Sequence, residues 1–370
     1  MKITALKTYI VPAAVSETAW CRGANWVLVN LTTEGGISGW GEAYAFGEGG
    51  LATAKAIQNL TPIIIGMDPF HIRRFKTQAH DTIGDALNGI EISAAAAGIE
   101  IAMWDSVGKA MDTPVHNLLG GPCRDRISVY ANCWSHDPRT ADQLATFAGA
   151  QVERGFRSVK IYPFLYGNTV DDGIEALTAV RDAVGADVPI MIDMWSRMRP
   201  EELPRIADAL HAQNVPWFED PAAATDVETL ARIRAQSKLT VVSGETLYKK
   251  QDFRRLLEHE SADILNPDIS ACGILGLTEI ATLAEAYGAK VSVHNNNSMT
   301  IGLAMAMQAA AVIPNFTMVE HFPRFIEGSN TFASFPAQLD ENGCIPLSNE
   351  PGLGVTVNGD ALVEYQVTPD

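Results

Sequence analysis

The sequence predicts an α/β protein, a (β/α)8 barrel over residues 126–325 behind an α+β domain over residues 1–125. Three observations predict it. From about Arg126, short β-rich runs recur eight times, each followed by a helix-like span. Eight even units in a row favour a closed parallel barrel over its rival, an open doubly wound sheet. The segment before Arg126 has a different texture, with a hairpin signature and Ala-rich helical stretches rather than strict alternation.

The elements follow in order. Met1 to Leu6 alternates like a strand. Trp26–Leu31 and Ile37–Tyr44 flank Glu34-Gly35-Gly36, which reads as a hairpin. Ser93 to Met111 is rich in Ala and apolar on most faces, the composition of a buried helix. Pro114 and Gly120-Gly121 close the region. The barrel strands are then Ile127–Tyr130, Ser158–Tyr162, Pro189–Asp193, Pro216–Glu219, Thr240–Gly244, Asp263–Leu265, Val291–His294 and Thr317–Glu320. Ala141–Arg154 and Pro200–Ala212 are two of the intervening helices. Residues 326–370, punctuated by Pro336, Gly343 and Pro351-Gly352-Leu353-Gly354, return to irregular β-like texture and are expected to pack on the first domain.

Composition narrows the function. With 44 acidic residues against 27 basic ones the chain carries a formal charge of −17, so nucleic acid and anionic membrane surfaces would be repelled. An apolar fraction of 47% excludes disorder. The five cysteines are scattered and never spaced C-x-x-C, which suits a reducing compartment and argues against a disulfide framework. The N-terminus lacks the continuous apolar core of a signal segment, and the apolar stretch Ile301–Ile313 is too short to span a bilayer. A cytoplasmic setting is expected. No G-x-G-x-x-G or P-loop is present, so nucleotide chemistry has no support.

Barrel enzymes carry their chemistry at the C-terminal ends of the strands. Those ends read Asp193, Glu219, Glu245, Asp268, His294 and Glu320, at intervals of 26, 26, 23, 26 and 26 residues. An acid at a strand end is often only a helix N-cap or a solvated charge. Glu219 and Glu245, however, follow apolar runs. Adjacent strands would bring Asp193, Glu219 and Glu245 together, where three carboxylates repel unless a cation sits among them. All-oxygen ligation favours a hard ion, Mg²⁺ first and Mn²⁺ next, whose open positions would accept a small anionic substrate. Lys160 and Tyr162, two apart on one strand, point the same way. Asp268 would fix the tautomer of His294 on the neighbouring strand, and Glu320 beside it could donate a hydrogen bond if protonated. Such a site suits removal of a proton α to a bound carboxylate, with the developing enediolate stabilised by the metal and by Glu320 or Lys160.

At this point the residues resemble the enolase superfamily, in its mandelate racemase-like, acid-sugar branch. The resemblance runs along the whole chain: Gly39-Trp40-Gly41-Glu42, Trp104-Asp105 with Gly108-Lys109, Leu118-Leu119-Gly120-Gly121, Lys160-x-Tyr162, Asp193, Glu219-Asp220-Pro221, Gly244-Glu245, Pro267-Asp268, His294, Glu320 and Pro351-Gly352-Leu353-Gly354. It implies a modified, enolase-like barrel under an α+β capping domain and an even-numbered homo-oligomer. Two capping loops, about 15–25 and 45–50, would close over the mouth, making Trp20 and Arg22 candidate substrate contacts; Asn295, in the loop after His294, is another.

Two departures bear on the reaction. Many relatives carry Lys-x-Lys where this chain has Lys160-x-Tyr162, and a tyrosine base needs its pKa depressed from near 10. Trp195 replaces the Asn or His found two residues after the first metal ligand and would form an apolar wall. Racemisation needs two competent bases, dehydration one base and one acid. The expected activity is therefore dehydration of an aldarate or aldonate to a 2-keto-3-deoxy acid. The alternatives are a racemase or epimerase of a hydroxy acid, a Schiff-base aldolase using Lys160, and a barrel that only binds an acid ligand.

Overall fold

The computed structural model describes residues 1–13, 25–47, 49–83, 89–134, 139–165, 167–296 and 298–367. The expected substrate contacts Trp20 and Arg22 lie outside these residues.

The N-terminal domain is a three-stranded antiparallel sheet, β1 (Ile3–Pro12), β2 (Asn25–Thr33) and β3 (Ser38–Ala43), covered by α1 (Gly50–Ile64), α2 (Ile72–Ile83) and α3 (Ile90–Ala110), with a short α4 (Val115–Leu118) after it. The buried helix starts three residues before the expected Ser93. Helix α3 packs close on β3 because glycines line the contact. A Cβ added at Gly41 would lie 2.2 Å from the Gly98 carbonyl oxygen. The Gly-Trp-Gly-Glu run is thus a packing device before it is anything else.

The barrel is closed. Its strands are β4 (Arg126–Asn132), β5 (Val159–Ile161), β6 (Ile190–Asp193), β7 (Trp217–Glu219), β8 (Val241–Ser243), β9 (Ile264–Leu265), β10 (Lys290–Val293) and β11 (Phe316–His321). Neighbours pair in parallel, and β11 pairs with β4 through Glu320 opposite Tyr130. The interspersed helices are α5 (Ala141–Glu153), α6 (Val170–Val184), α7 (Leu203–Ala212), α8 (Val227–Ser237), α9 (Lys250–Glu258), α10 (Ile269–Ala286) and α11 (Thr300–Val312). Pro200–Glu202 forms a 3-10 turn, so α7 starts later than the expected Pro200. Tyr130, Met191, Trp217, Val242 and Ile264 fill the barrel interior as one buried apolar layer.

Among the described residues, the helix that is both long and strongly apolar is α10, while the 301–313 stretch forms the shorter apolar helix α11. The 18 residues of α10 are apolar enough to cross a membrane by length and composition. Here it is a barrel helix, broken at Gly273 with φ 73° and ψ 172°. The Glu100 carboxylate of α3 fills the space at that break and accepts the Leu275 N–H at 2.7 Å. A second acid of the N-terminal domain, Glu42, accepts N–H bonds from Met299 (3.0 Å) and Gly302 (2.8 Å) at the start of α11. Both carboxylates meet the N–H groups at the start of a helical segment and its positive end, the favourable pole for an anion. They join the two domains next to the barrel mouth.

The C-terminal stretch divides its contacts. Cys344–Pro346 adds an antiparallel strand to β4. Further on, Leu353 N–H donates to Asp105 of α3 at 2.9 Å, and Val367 N–H to the Thr8 carbonyl at 2.8 Å.

Candidate active site

Parallel pairing lifts each strand-end residue to the same rim. Asp193 and Glu219 are register partners on β6 and β7. Glu245 follows β8, Asp268 follows β9, His294 follows β10, and Glu320 lies near the end of β11. All six are buried. The structure therefore brings the expected acids, Lys160 and His294 into one centre.

Lys160 sits at its middle with no exposed surface. Its ammonium lies 2.7 Å from Glu219 Oε1, 2.7 Å from Glu320 Oε1 and 3.3 Å from Asp193 Oδ2. An ammonium has three N–H donors, and three carboxylates engage them. Burial lowers the Lys160 pKa, but Glu219 and Glu320 outweigh it and hold it well above 10.5. Schiff-base formation needs an accessible, neutral amine, and Lys160 is neither; the aldolase alternative fails on both counts.

His294 is gripped from both sides. Nδ1 is 2.7 Å from Asp268 Oδ2, while Nε2 is 2.9 Å from Glu245 Oε2 and 3.2 Å from Glu320 Oε2. Burial works against charging this ring, but Glu320, Glu245 and Asp268 prevail and raise its pKa well above 6.5. Asp268 is also the N-cap of α10, accepting from Ser270 N (2.8 Å) and Ala271 N (3.1 Å) through Oδ1. The ordinary cap role and the imidazole-orienting role coexist on its two oxygens.

The electrostatics oppose two expectations. For Glu320 as a protonated donor, burial raises the pKa, but Lys160 and His294 pull it down to about 2, which favours the ionised, accepting form. Tyr162 is not depressed toward a phenolate. Burial raises it well above 10, and Lys160, already surrounded by carboxylates, does not offset that. Its hydroxyl oxygen instead accepts a 2.8 Å hydrogen bond from Asn132 Nδ2.

Several residues hold the site together in ways the sequence did not assign. Asn132 Nδ2 also donates to Glu320 Oε1 at 2.7 Å. Its Oδ1 accepts from Trp134 N at 2.6 Å, which fixes the orientation of the amide. Glu219 is held by Trp217 Nε1 (2.7 Å, to Oε2) and Asn266 Nδ2 (3.0 Å, to Oε1). Asp220 lies beside the metal-ligand candidates with φ 37° and accepts from the Ser243 hydroxyl. Trp217 had a usable signal: it precedes Glu219 by two, the spacing that placed Lys160 with Tyr162. Asn295, expected to touch substrate, is fully buried, and its backbone N–H supports Glu320 at 3.2 Å. Trp195 stands at the mouth, with its N–H on Asp193 Oδ1 at 2.8 Å and its ring centroid 5.3 Å from that of Trp134.

The donor set fits a hard cation. Burial, reinforced by neighbouring acids and only partly countered by Lys160, pushes Asp193 up to about 7 and Glu219 up to about 8. Burial and then Glu245 hold Asp220 well above 3.8. Carboxylates raised in this way are short of positive charge, which a divalent ion supplies. Atoms of Glu219, Glu245 and His294 lie within 4.8 Å of one another. Asp193 stands outside that trio, held by Lys160 and the Trp195 N–H.

Fold and site together define a capped (β/α)8 barrel whose mouth is lined with buried carboxylates around one lysine and one histidine. Residues 2–120 match the mandelate racemase / muconate lactonizing enzyme N-terminal domain, and residues 143–361 match the enolase C-terminal domain-like family. The chain belongs to this family, the mandelate racemase-like part of the enolase superfamily. It is 30% identical to D-galactarolactone cycloisomerase of Agrobacterium fabrum, with both chains covered in full. It is also 30% identical to D-galactonate dehydratase of Ralstonia pickettii, over 98% of this chain and 94% of the relative. Among solved structures, an enolase from Sargasso Sea environmental sequencing superimposes with a TM-score of 0.92 at 28% identity, covering 99% of this chain and 97% of that one.

Proposed function

We propose that this protein is a metal-dependent lyase that dehydrates a sugar acid to a 2-keto-3-deoxy acid. The observation that carries the proposal is the His294–Asp268 pair set beside a ring of buried carboxylates short of positive charge. The dehydratase and cycloisomerase names of the relatives support the substrate class.

Asp193, Glu219 and Glu245 would hold the cation, Mg²⁺ or Mn²⁺. When bound, that ion supplies Lewis-acid stabilisation of the charge that develops on the substrate carboxylate. His294 Nε2 is the proton-carrying atom. The carboxylates around the ring favour the imidazolium and so make the neutral ring a stronger base. It takes the α-proton and then returns a proton to the departing β-hydroxyl, while Asp268 keeps the ring oriented through Nδ1. Tyr162, held as a phenol with Asn132 donating to its oxygen, directs its own proton elsewhere and serves as a hydrogen-bond donor. Lys160 is an electrostatic tie between Asp193, Glu219 and Glu320 rather than a base.

The test is a panel of aldonates, aldarates and their lactones, assayed with Mg²⁺ for 2-keto acid formation. Formation of the keto acid, abolished by EDTA, is the expected result. Deuterium entering recovered substrate without loss of water would instead make the enzyme a racemase or epimerase.

A further inference from the structure

The substrate class still leaves two sizes of anion open, a sugar acid with one carboxylate or with two. The loop after β6 bears on that choice. Trp195 and Ser196 both take the left-handed conformation, with φ 46° and 57°, which L-residues rarely adopt. The Trp195 N–H is anchored on Asp193 Oδ1. Its ring lies 5.3 Å from Trp134 and 5.9 Å from Phe46 of the N-terminal domain, and Trp134 is 4.8 Å from Tyr162. An aromatic wall therefore runs from the reacting centre to the rim.

Arg197 stands on that wall, with its guanidinium carbon 4.6 Å from the Trp195 ring centroid. It is exposed, and among the described residues its guanidinium makes no hydrogen bond or ion pair. The contrast with its neighbours is informative. Arg199 pairs with Glu202 and Arg205 with Asp171, as expected where acids outnumber bases. Stacking on an indole holds a guanidinium flat and leaves its N–H edge free, the presentation that suits a bidentate carboxylate. Lys160 has no donor left for a second anion, because three protein carboxylates engage it.

We propose that Arg197, stacked on Trp195, is the clamp for a second carboxylate at the far end of the substrate. The enzyme then selects a dicarboxylic sugar acid over the monocarboxylic acid of the same configuration. This assignment rests on the sugar-acid reading above and specifies its substrate. The experiment compares kcat/KM for such a matched pair in the wild type, Arg197→Met and Arg197→Lys. The wild type should prefer the diacid. Arg197→Met should cut that preference by about 10-fold to 100-fold, through KM rather than kcat, with Arg197→Lys in between. A wild type that prefers the monoacid, or an Arg197→Met that loses both substrates equally, overturns the clamp. If the wild type turns over neither acid, the sugar-acid reading fails by itself. Calorimetric binding of adipate, a plain six-carbon diacid, then decides the clamp: weaker binding to Arg197→Met sustains it, and equal binding overturns it.

Discussion

Buried acids occur in two regions of this molecule, and their surroundings are opposite. In the N-terminal domain, burial pushes Glu42 up to about 7, against the pull of the Met299 and Gly302 N–H groups. Asp105 is likewise raised by burial, and is countered by Lys109 and by N–H bonds from Leu353 and Trp40. Each of these acids has its own donors. At the barrel mouth the neighbours add to the effect of burial: Glu219 feels Asp193, Glu245 and Glu320, and Asp193 feels Glu245 and Asp220. Burial alone therefore does not distinguish a structural acid from a functional one. What surrounds the carboxylate does: chiefly donors in one case, and several further carboxylates alongside the donors in the other.

Four substitutions test that contrast, beginning with the largest effect. Glu219→Gln should lower metal-dependent activity by on the order of 10³-fold and abolish Mn²⁺ binding in calorimetry, with an unchanged circular dichroism spectrum. Full activity would sink the metal assignment. His294→Asn should lower kcat by about 10²-fold to 10⁴-fold while substrate affinity stays within about threefold. Wild-type turnover would remove His294 from the mechanism. Glu42→Ala should behave in the opposite manner. It strips two N–H groups of a buried helix start of their acceptor, costs about 1–3 kcal/mol in urea unfolding and leaves Mn²⁺ affinity unchanged. A weakened metal site with normal stability would erase the distinction between the two regions.

The smallest effect concerns His321, whose buried Nδ1 has no hydrogen-bond partner among the described residues. Burial and then Arg154 push it down to about 3 from its usual 6.5. A base whose pKa is depressed on folding contributes stability that is complete above pH 6.5 and is lost as pH falls toward 3, because the unfolded chain takes up the proton first. His321→Leu should flatten unfolding free energy against pH across that window, by at most about 1.4 kcal/mol per pH unit. An unaltered slope would remove His321 from the acid sensitivity.

Much of the barrel was legible because it repeats. Eight β runs punctuated by helices mark the strands, and reading only their ends isolates Asp193, Glu219, Glu245, Asp268, His294 and Glu320 from the other acids. The supports were harder to see. Asn132 lies 188 residues from Glu320, and it matters only because β11 closes the barrel beside β4. Asn266 and Asn132 are neutral amides, a residue type common at strand ends for many reasons, so nothing local marked them. The Gly-Trp-Gly-Glu run was visible as a motif, but its task of seating β3 on α3 and of capping α11 depends on contacts with residues far along the chain, Gly98 and Met299.

The sequence by itself determined which chemical groups reach the barrel mouth, because strand alternation and a near-constant repeat are local properties written in residue type and spacing. It also determined that a net charge of −17 coexists with a site for an anion, since a few acids are set apart from the solvated majority. Only the tertiary structure decided the protonation and the direction of each group. Burial and the neighbouring charges hold Glu320 low and Tyr162 high, and Lys160 is seated among three acids. The reason is physical. A protonation state follows from the sum of burial and of charges within a few ångströms, and here those neighbours come from strands that meet only when the barrel closes.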